Sequence, residues 1–304
     1  GIWCRVLGVS DLHVDDMFFE VGGSSLAAIQ IQSELEALIG RTISMAELFD
    51  TPTIRTMAAY FGDAVEPDAS PAVNARSARS WGSDIAVIGI GCRFPGANGP
   101  AQFWDVLENC RETITRFAAE DAIEAGVAES VAHHPDQVNA APILEDIEGC
   151  DLDFWKFSER EASIIDPQQR VFLETAWEAF EDAGYDPGAH LGRVAVYASA
   201  ATNTYQQNNL YANSEWVTQH GGALLTVDSY DGFNVMTSND KDYLPTRVSF
   251  KLDLVGPSLA VQTACSSTLV AVHEAVKSLR LGESEMAVAG GCALMLPQHA
   301  GHLY

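Results

Sequence analysis

Two residues in the sequence stand where a side chain can react. The first is Cys265, in Pro257-Ser258-Leu259-Ala260-Val261-Gln262-Thr263-Ala264-Cys265-Ser266-Ser267-Thr268. Leu259 and Val261 read as strand behind a Gly256-Pro257 turn, and Leu269, Val272, His273, Val276 and Leu279 recur at helical spacing until Gly282. The spacing places Cys265 at or just before a helix N-terminus, where unpaired N–H groups and the positive end of the macrodipole favour the thiolate, the nucleophilic form. Ala264, Ser266 and Ser267 are small enough to leave the sulfur accessible. A buried structural thiol fits the same turn, since free cysteine is among the most buried residue types. The second is Ser25, in Phe18-Phe19-Glu20-Val21-Gly22-Gly23-Ser24-Ser25-Leu26. Two glycines let the backbone turn into a helix there, and an anion esterified to the hydroxyl would lie at a positive helix end. Geometry alone favours an ordinary N-cap serine, for which Ser is a preferred residue.

The elements that hold these residues fall into two textures. Up to residue 61 the pattern is helical: Ile2, Val6 and Leu7 share one face, Ala28, Ile31, Leu35 and Leu38 step along a second helix that Gly40 ends, and Ile54, Met57, Ala58 and Phe61 form a last one. A short turn, Met45 to Phe49, precedes Pro52, so a small antiparallel bundle is expected. Residues 63–83 are rich in Pro, Ala, Ser and Gly without apolar periodicity and read as a flexible linker with a root-mean-square span of about 25 Å, roughly 70 Å if stretched. From Asp84 strands alternate with helices, which predicts an α/β domain with a largely parallel sheet. Ile85 to Gly91 is expected to be a strand buried on both faces. Asp166-Pro167 starts a helix that runs to Gly184, Val194 to Tyr197 and Met286 to Gly290 are further strands, and Thr202 to Asp242 reads as loops with short helices. Gly89-Ile90-Gly91 is not a dinucleotide loop, because Phe94 stands where the third glycine is needed and Pro95 follows.

Composition removes several classes of function. With 17 basic against 42 acidic side chains, a net charge of −25 argues against nucleic acid and anionic membrane surfaces as partners. Six cysteines lie far apart with no C-x-x-C pair, so neither a zinc site nor a disulfide framework is suggested, and dispersed thiols fit a reducing cytoplasm. No signal peptide and no apolar run of about 18 residues is present. His133-His134 lacks a second ligand pair, so no metal site is expected; His273 lies eight residues after Cys265, roughly 12 Å along the helix and out of reach of the sulfur. The chain starts on Gly1-Ile2-Trp3 without an initiator methionine and reads as a segment of a longer polypeptide.

The segment around Ser25 resembles the carrier proteins of assembly-line synthases, whose hallmark is Gly-Gly-Asp/His-Ser-Leu after a Phe-Phe-Glu-Leu-like lead; Ser24 departs from that pattern. By this resemblance Ser25 carries 4′-phosphopantetheine, installed by a phosphopantetheinyl transferase. Asp84 to Pro95, Asp166 to Arg170, Asn239 to Leu254 and Gln262 to Ser267 together resemble the β-ketoacyl synthase domain of modular polyketide synthases, or of hybrid peptide–polyketide synthases. The resemblance implies a carrier bundle of four-helix type over 1–62, the linker over 63–83, and over 84–304 the N-terminal half of a thiolase-like α/β/α/β/α ketosynthase, working as a homodimer among the other domains of a synthase. It makes Cys265 the acyltransferase nucleophile that takes an acyl chain from a carrier thioester for decarboxylative condensation with a malonyl-type extender, its own N–H helping to form an oxyanion hole. The family also needs histidines in His-Gly-Thr-Gly-Thr-like and Asn-x-Gly-His-like motifs. His13, His133, His134, His190, His220, His273, His299 and His302 match neither. The chain is therefore expected to hold the acylation apparatus without the decarboxylation apparatus. The competing expectation is a carrier or interaction module beside an acyl-transfer-only or inactive ketosynthase. Half of a two-halved sheet would also expose apolar surface.

Overall fold

A computed structural model describes residues 1–9, 12–18, 21–23, 25–44, 47–48, 51–62, 84–189, 192–219 and 229–303. The chain divides into two compact units, 1–80 and 81–304. The expected linker, Ser24, His190 and His220 lie outside the described residues.

In the first unit, α1 (Ile2–Leu7), α2 (Ser25–Ile39) and α3 (Ile54–Gly62) surround a core of Trp3, Phe18, Ala28, Ile31, Leu48 and Met57. Trp3 meets Phe18 edge to face at 5.2 Å, and each large apolar side chain fully withdrawn from water contributes about 1.5–3 kcal/mol. Loop and helix are joined through backbone, with Phe18 N–H on the Pro52 carbonyl and Arg55 N–H on that of Val14, both 2.9 Å. Gly40, at φ +75°, ends α2 where the sequence places its stop. Residues 47–48 are helical, so the described part of this unit is three helices and one short turn.

The second unit opens with α4 (Pro100–Glu108), followed by short helices and two-residue ribbons, Thr115–Arg116 with Ala140–Ala141 and Gln137–Val138 with His302–Leu303. Its body is α5 (Pro167–Ala183), β1 (Val194–Ala200), α6 (Tyr230–Asn239), α7 (Tyr243–Lys251), β2 (Ser258–Ala260), α8 (Ser267–Leu281) and β3 (Met286–Cys292). The three strands form a parallel sheet in the order β2-β1-β3. Every residue of β1 is buried, as its near-continuous apolar sequence requires of a central parallel strand. Val194, Val196, Ala198 and Ala200 face Phe172, Leu173, Phe180, Leu244 and Val248 of α5 and α7. Ala195 and Tyr197, pointing the other way, pack on Ala271 and Ala275 of α8. The result is a sheet between two helical layers. The Thr202 to Asp242 stretch holds a π-helical turn (Gln206–Leu210), a helix (Ser214–Gln219) and α6.

One expected strand is absent. Residues 85–91 make no strand, and Val87 is 80% exposed. The two glycines press this backbone against α5 instead: an added Cβ would lie 2.1 Å from the Ala179 carbonyl at Gly89 and 2.2 Å from that of Thr175 at Gly91. Ile90 N–H bonds the Asp182 carboxylate at 2.9 Å. A continuous apolar run becomes a doubly buried strand only when neighbouring strands take up its N–H groups. Among the described residues no helix is long and apolar enough to cross a membrane.

Candidate active site

Cys265 lies on a tied, strained turn at the C-terminal ends of the parallel strands, the edge at which open α/β sheets bind ligands. Strand β2 runs along β1, with Val261 N–H on the Ala198 carbonyl at 2.8 Å. Ala264 then adopts φ +55°, a left-handed conformation that costs a residue with a Cβ about 1 kcal/mol, and reverses the chain into the 3₁₀ turn Ala264–Ser266 and α8. The neighbouring hydroxyls hold the reversal. Ser267 Oγ accepts from Thr263 N–H at 2.9 Å and donates to the Ala264 carbonyl at 2.7 Å, and Ser266 Oγ donates to the Thr263 carbonyl at 2.8 Å. The Cys265 residue is exposed. Helix α8 sits low over the sheet because β3 has Gly291 beneath it, where a Cβ would lie 2.3 Å from Thr268 Oγ1 and 2.5 Å from Ser199 Oγ.

The other cysteines differ in kind. Burial pushes the Cys292 thiol up to about 12, with the Asp166 carboxyl adding to the shift, and burial likewise raises Cys92 and Cys150. These three are held as thiols. Cys110 is exposed, but on a surface turn after α4. No group of three His, Cys, Asp or Glu able to hold a metal occurs among the described residues. His273 is exposed on α8, His134 stands 3.9 Å from Asp136, and His299 packs edge-on against Phe117 at 5.2 Å.

Behind the turn lies a buried polar cluster. Asp166, Gln168 and Gln169 are at most 2% exposed and Arg170 8%. Asp166 caps α5 by accepting from Gln168 N–H at 3.0 Å, and burial raises its carboxyl despite that bond. Gln169 accepts from Arg247 Nε at 2.7 Å and donates to the Asp240 carbonyl at 3.2 Å, and Arg170 donates to the Glu148 carbonyl at 3.0 Å. Asn239 joins in, donating to the Ile164 and Val235 carbonyls at 2.9 Å each. From the sequence, 166–170 is a helix start; that its two amides face the interior, Gln168 binding strand ends and Gln169 the link between α6 and α7, is a role the sequence reading missed. The signal was four polar residues among the five of Asp166-Pro167-Gln168-Gln169-Arg170 at the start of a helix, with Val171, Phe172 and Leu173 following, too polar on too many faces for a solvated first turn.

Ser25 is the first residue of α2, a 15-residue helix with no acidic residue in its first turn. Gly22 precedes it at φ +95°, and an added Cβ on Gly23 would lie 2.4 Å from the Phe18 carbonyl. A glycine turn that opens onto the positive end of a long helix, with no carboxylate on the helix's first turn, fits an esterified phosphate. Ser25 and Cys265 stand in separate units, Ser25 as the first residue of a 15-residue helix and Cys265 in the turn that leads into another.

Residues 82–303 match the family Beta-ketoacyl synthase, N-terminal domain, and residues 1–61 the family Phosphopantetheine attachment site. A Phenolphthiocerol/phthiocerol polyketide synthase of Mycobacterium tuberculosis is 41% identical over 218 residues, which cover 72% of this chain and 14% of that protein. Polyketide synthase PksN of Bacillus subtilis is 31% identical over 317 residues, 100% of this chain and 6% of PksN. Among solved structures, ketosynthase twelve of the bacillaene polyketide synthase of Bacillus amyloliquefaciens superposes with a TM-score of 0.61 at 35% identity, over 72% of this chain and 36% of that one. The chain thus spans well under two thirds of each of these relatives.

Proposed function

The chain belongs to the β-ketoacyl synthase family of polyketide synthases, with the thiolase-like ketosynthase fold and a phosphopantetheine attachment region ahead of it, and from that membership we propose a division of labour between its two reactive residues. Ser25, within a carrier of four-helix type over 1–62, bears 4′-phosphopantetheine. When bound, that group supplies a thiol on which acyl chains are held as thioesters. A linker over 63–83 separates the carrier from the ketosynthase residues 84–304, and Cys265 accepts the acyl chain. Its sulfur attacks the thioester carbonyl carbon, the new C–S bond forms as the donor's C–S bond breaks, and the departing thiol takes up the proton that Cys265 gives up. The Cys265 backbone N–H, in the first turn before α8, faces the charge that grows on the carbonyl oxygen. None of the eight histidines stands in either histidine context of the family. These 304 residues therefore carry acyl acceptance, while extender decarboxylation, which completes the condensation, uses groups they do not contain. The setting is a cytoplasmic homodimeric synthase whose other domains, a carrier-loading phosphopantetheinyl transferase and acyl thioesters are the partners.

The observation that supports this reading is the exposed Cys265 on a turn tied by Ser266 and Ser267 at the C-terminal edge of the sheet. Incubation of the full-length protein with an acyl thioester, followed by peptide mass analysis, tests it. Acyl mass is expected on Cys265 and none in Cys265→Ala; acyl mass on another cysteine, or on none, overturns the assignment.

A further inference from the structure

The C-terminal end of strand β1 is held by two glutamine side chains, one on each side. On the β2 side, the Gln262 amide, with its oxygen and nitrogen assigned so that each meets a complementary group, donates to the Ala200 carbonyl at 3.2 Å and accepts from Ala200 N–H at 3.3 Å, completing a rung that β2 itself no longer supplies. On the β3 side, the Ala200 to Cys292 pair is the last of the register. There Ala201 N–H is shared between the Cys292 carbonyl at 2.9 Å and Gln168 Oε1 at 3.1 Å, and Gln168 Oε1 also accepts from Leu294 N–H at 3.3 Å, bridging the ends of two adjacent strands. Its Nε2 donates to Asp166 at 3.0 Å and to the Ala201 carbonyl at 3.5 Å. Gln168 is wholly buried, whereas Gln262 is exposed.

Continuous connections follow from this. Gln168 holds residue 201 and, across the strand gap, residue 294; residue 200, next in line, is held by Gln262, which stands three residues before Cys265. Past residue 294 the two strand-end loops remain joined, with Leu296 N–H on Thr204 Oγ1 and Asn208 Nδ2 on the Leu296 carbonyl, both 2.7 Å. An amide suits this post because it accepts and donates at once. A carboxylate could not donate to Asp166, and an apolar side chain would leave a buried N–H of residue 294 without its partner.

We propose that Gln168 is a positioning residue for acyl transfer, fixing the ends of β1 and β3 and, through Ala200 and Gln262, the direction in which the Cys265 turn presents its sulfur. The inference rests on the reading of Cys265 as acyl acceptor. Near-attack geometry is the sensitive quantity in such a step, and a displacement of about 1 Å can cost on the order of a hundredfold in rate. Reaction of the same thiol with a small, freely oriented alkylating agent has no comparable requirement.

The test compares wild type, Gln168→Met and Gln262→Ala in the full-length protein, measuring Cys265 acylation by an acyl thioester over a concentration series and Cys265 alkylation by iodoacetamide. In Gln168→Met the acylation rate at saturating thioester is expected to fall at least about tenfold, with the half-saturating concentration and the alkylation rate within about twofold of wild type. Gln262→Ala, a surface change that leaves the core intact, is expected to lower the same rate by about threefold or more with the same selectivity. Wild-type acylation with either variant unaffected overturns the inference and leaves the acceptor reading standing. So does a parallel loss of acylation and alkylation, which marks general loosening. Should Gln168→Met not fold, Gln262→Ala decides alone. A wild-type protein that is not acylated overturns both.

Discussion

Ser25 begins one 15-residue helix and Cys265 lies in the turn that leads into another, yet the approaches to those helices are built in opposite ways. Ser25 is reached through glycines: Gly22 takes φ +95° freely, and Gly23 fits under Phe18 only because it lacks a Cβ. Cys265 is reached through Ala264, which adopts φ +55° despite its Cβ, and three hydroxyl bonds from Ser266 and Ser267 keep it there. The contrast follows from what each residue must do. An attachment hydroxyl needs to be accessible and placed where an anion is tolerated, because the reactive end of the arm is far away. A nucleophile must meet a carbonyl at a defined angle, so the chain around it is strained and held by other side chains.

The comparison breaks most visibly if the two roles are not separate. Ser25→Ala is expected to abolish phosphopantetheinylation while leaving Cys265 acylation by a free thioester within about twofold, and Cys265→Ala to do the reverse, a loss of about a thousandfold or more. Mass analysis of each variant after each reaction checks this. Labelling at Ser24 in Ser25→Ala would move the attachment point by one residue.

The next largest effects fall on the glycines. Gly23→Ala drives a Cβ to 2.4 Å from a backbone carbonyl, which cannot turn aside, and about 2–3 kcal/mol of first-unit stability is expected to go. Gly291→Ala meets two hydroxyl oxygens, Thr268 Oγ1 and Ser199 Oγ, which can rotate away. There about 1–2 kcal/mol is expected, together with lifting of α8 from the sheet and slower Cys265 acylation. Denaturant melts followed by a probe in each unit separate the two; equal losses would mean that the approach to Cys265 is no more yielding than that to Ser25.

How much of this was legible in the sequence depends on whether a feature is local. The starts at Ser25 and Asp166 and the stops at Gly40, Gly184 and Gly282 are written in one or two residues, and the structure has helices bounded there. A strand over Val194 to Tyr197 and the strand-to-helix turn at Cys265 are also legible, although the sequence reading expected the doubly buried strand at 85–91 and not at β1. Residues 85–91 were misread because a strand is a property of its neighbours, and nothing in Ile-Ala-Val-Ile-Gly-Ile-Gly says that α5 rather than a strand lies alongside. Gln168 and Gln262 escaped for the same reason. Their partners are backbone groups 33 and 62 positions away, counting from 168 to 201 and from 262 back to 200, and backbone has no sequence signature.

A smaller effect tests the buried side of the Cys265 approach. The raised Asp166 carboxyl means that the folded protein binds this proton more tightly than the unfolded chain does. Its contribution is thus fully present below the ordinary aspartate value near 3.8 and is lost as pH rises through the elevated one. Asp166→Asn removes this titration, so the decline of stability with rising pH just above that value should flatten. At neutral pH the variant gains by shedding a buried charge and loses an acceptor for Gln168, leaving a net change of about 1 kcal/mol or less. Melting temperatures of both proteins across that range decide; parallel curves would mean that Asp166 does not titrate there.

The smallest expected effect probes strain itself. If Ala264 is held at φ +55° against its preference, Ala264→Gly relieves about 0.5–1 kcal/mol in the folded state. Glycine also gives the unfolded chain more freedom, which offsets part of that gain. The net stabilisation should be small, a rise in melting temperature of at most about 2 °C. Acylation should move the other way, because the Ser266 and Ser267 hydroxyls would then be holding a residue that several conformations suit equally well. A variant that melts slightly higher and acylates more slowly ties the strain to the nucleophile's orientation. One that melts lower and acylates at the wild-type rate shows that the left-handed turn costs the protein nothing and that Cys265 is presented no more rigidly than Ser25.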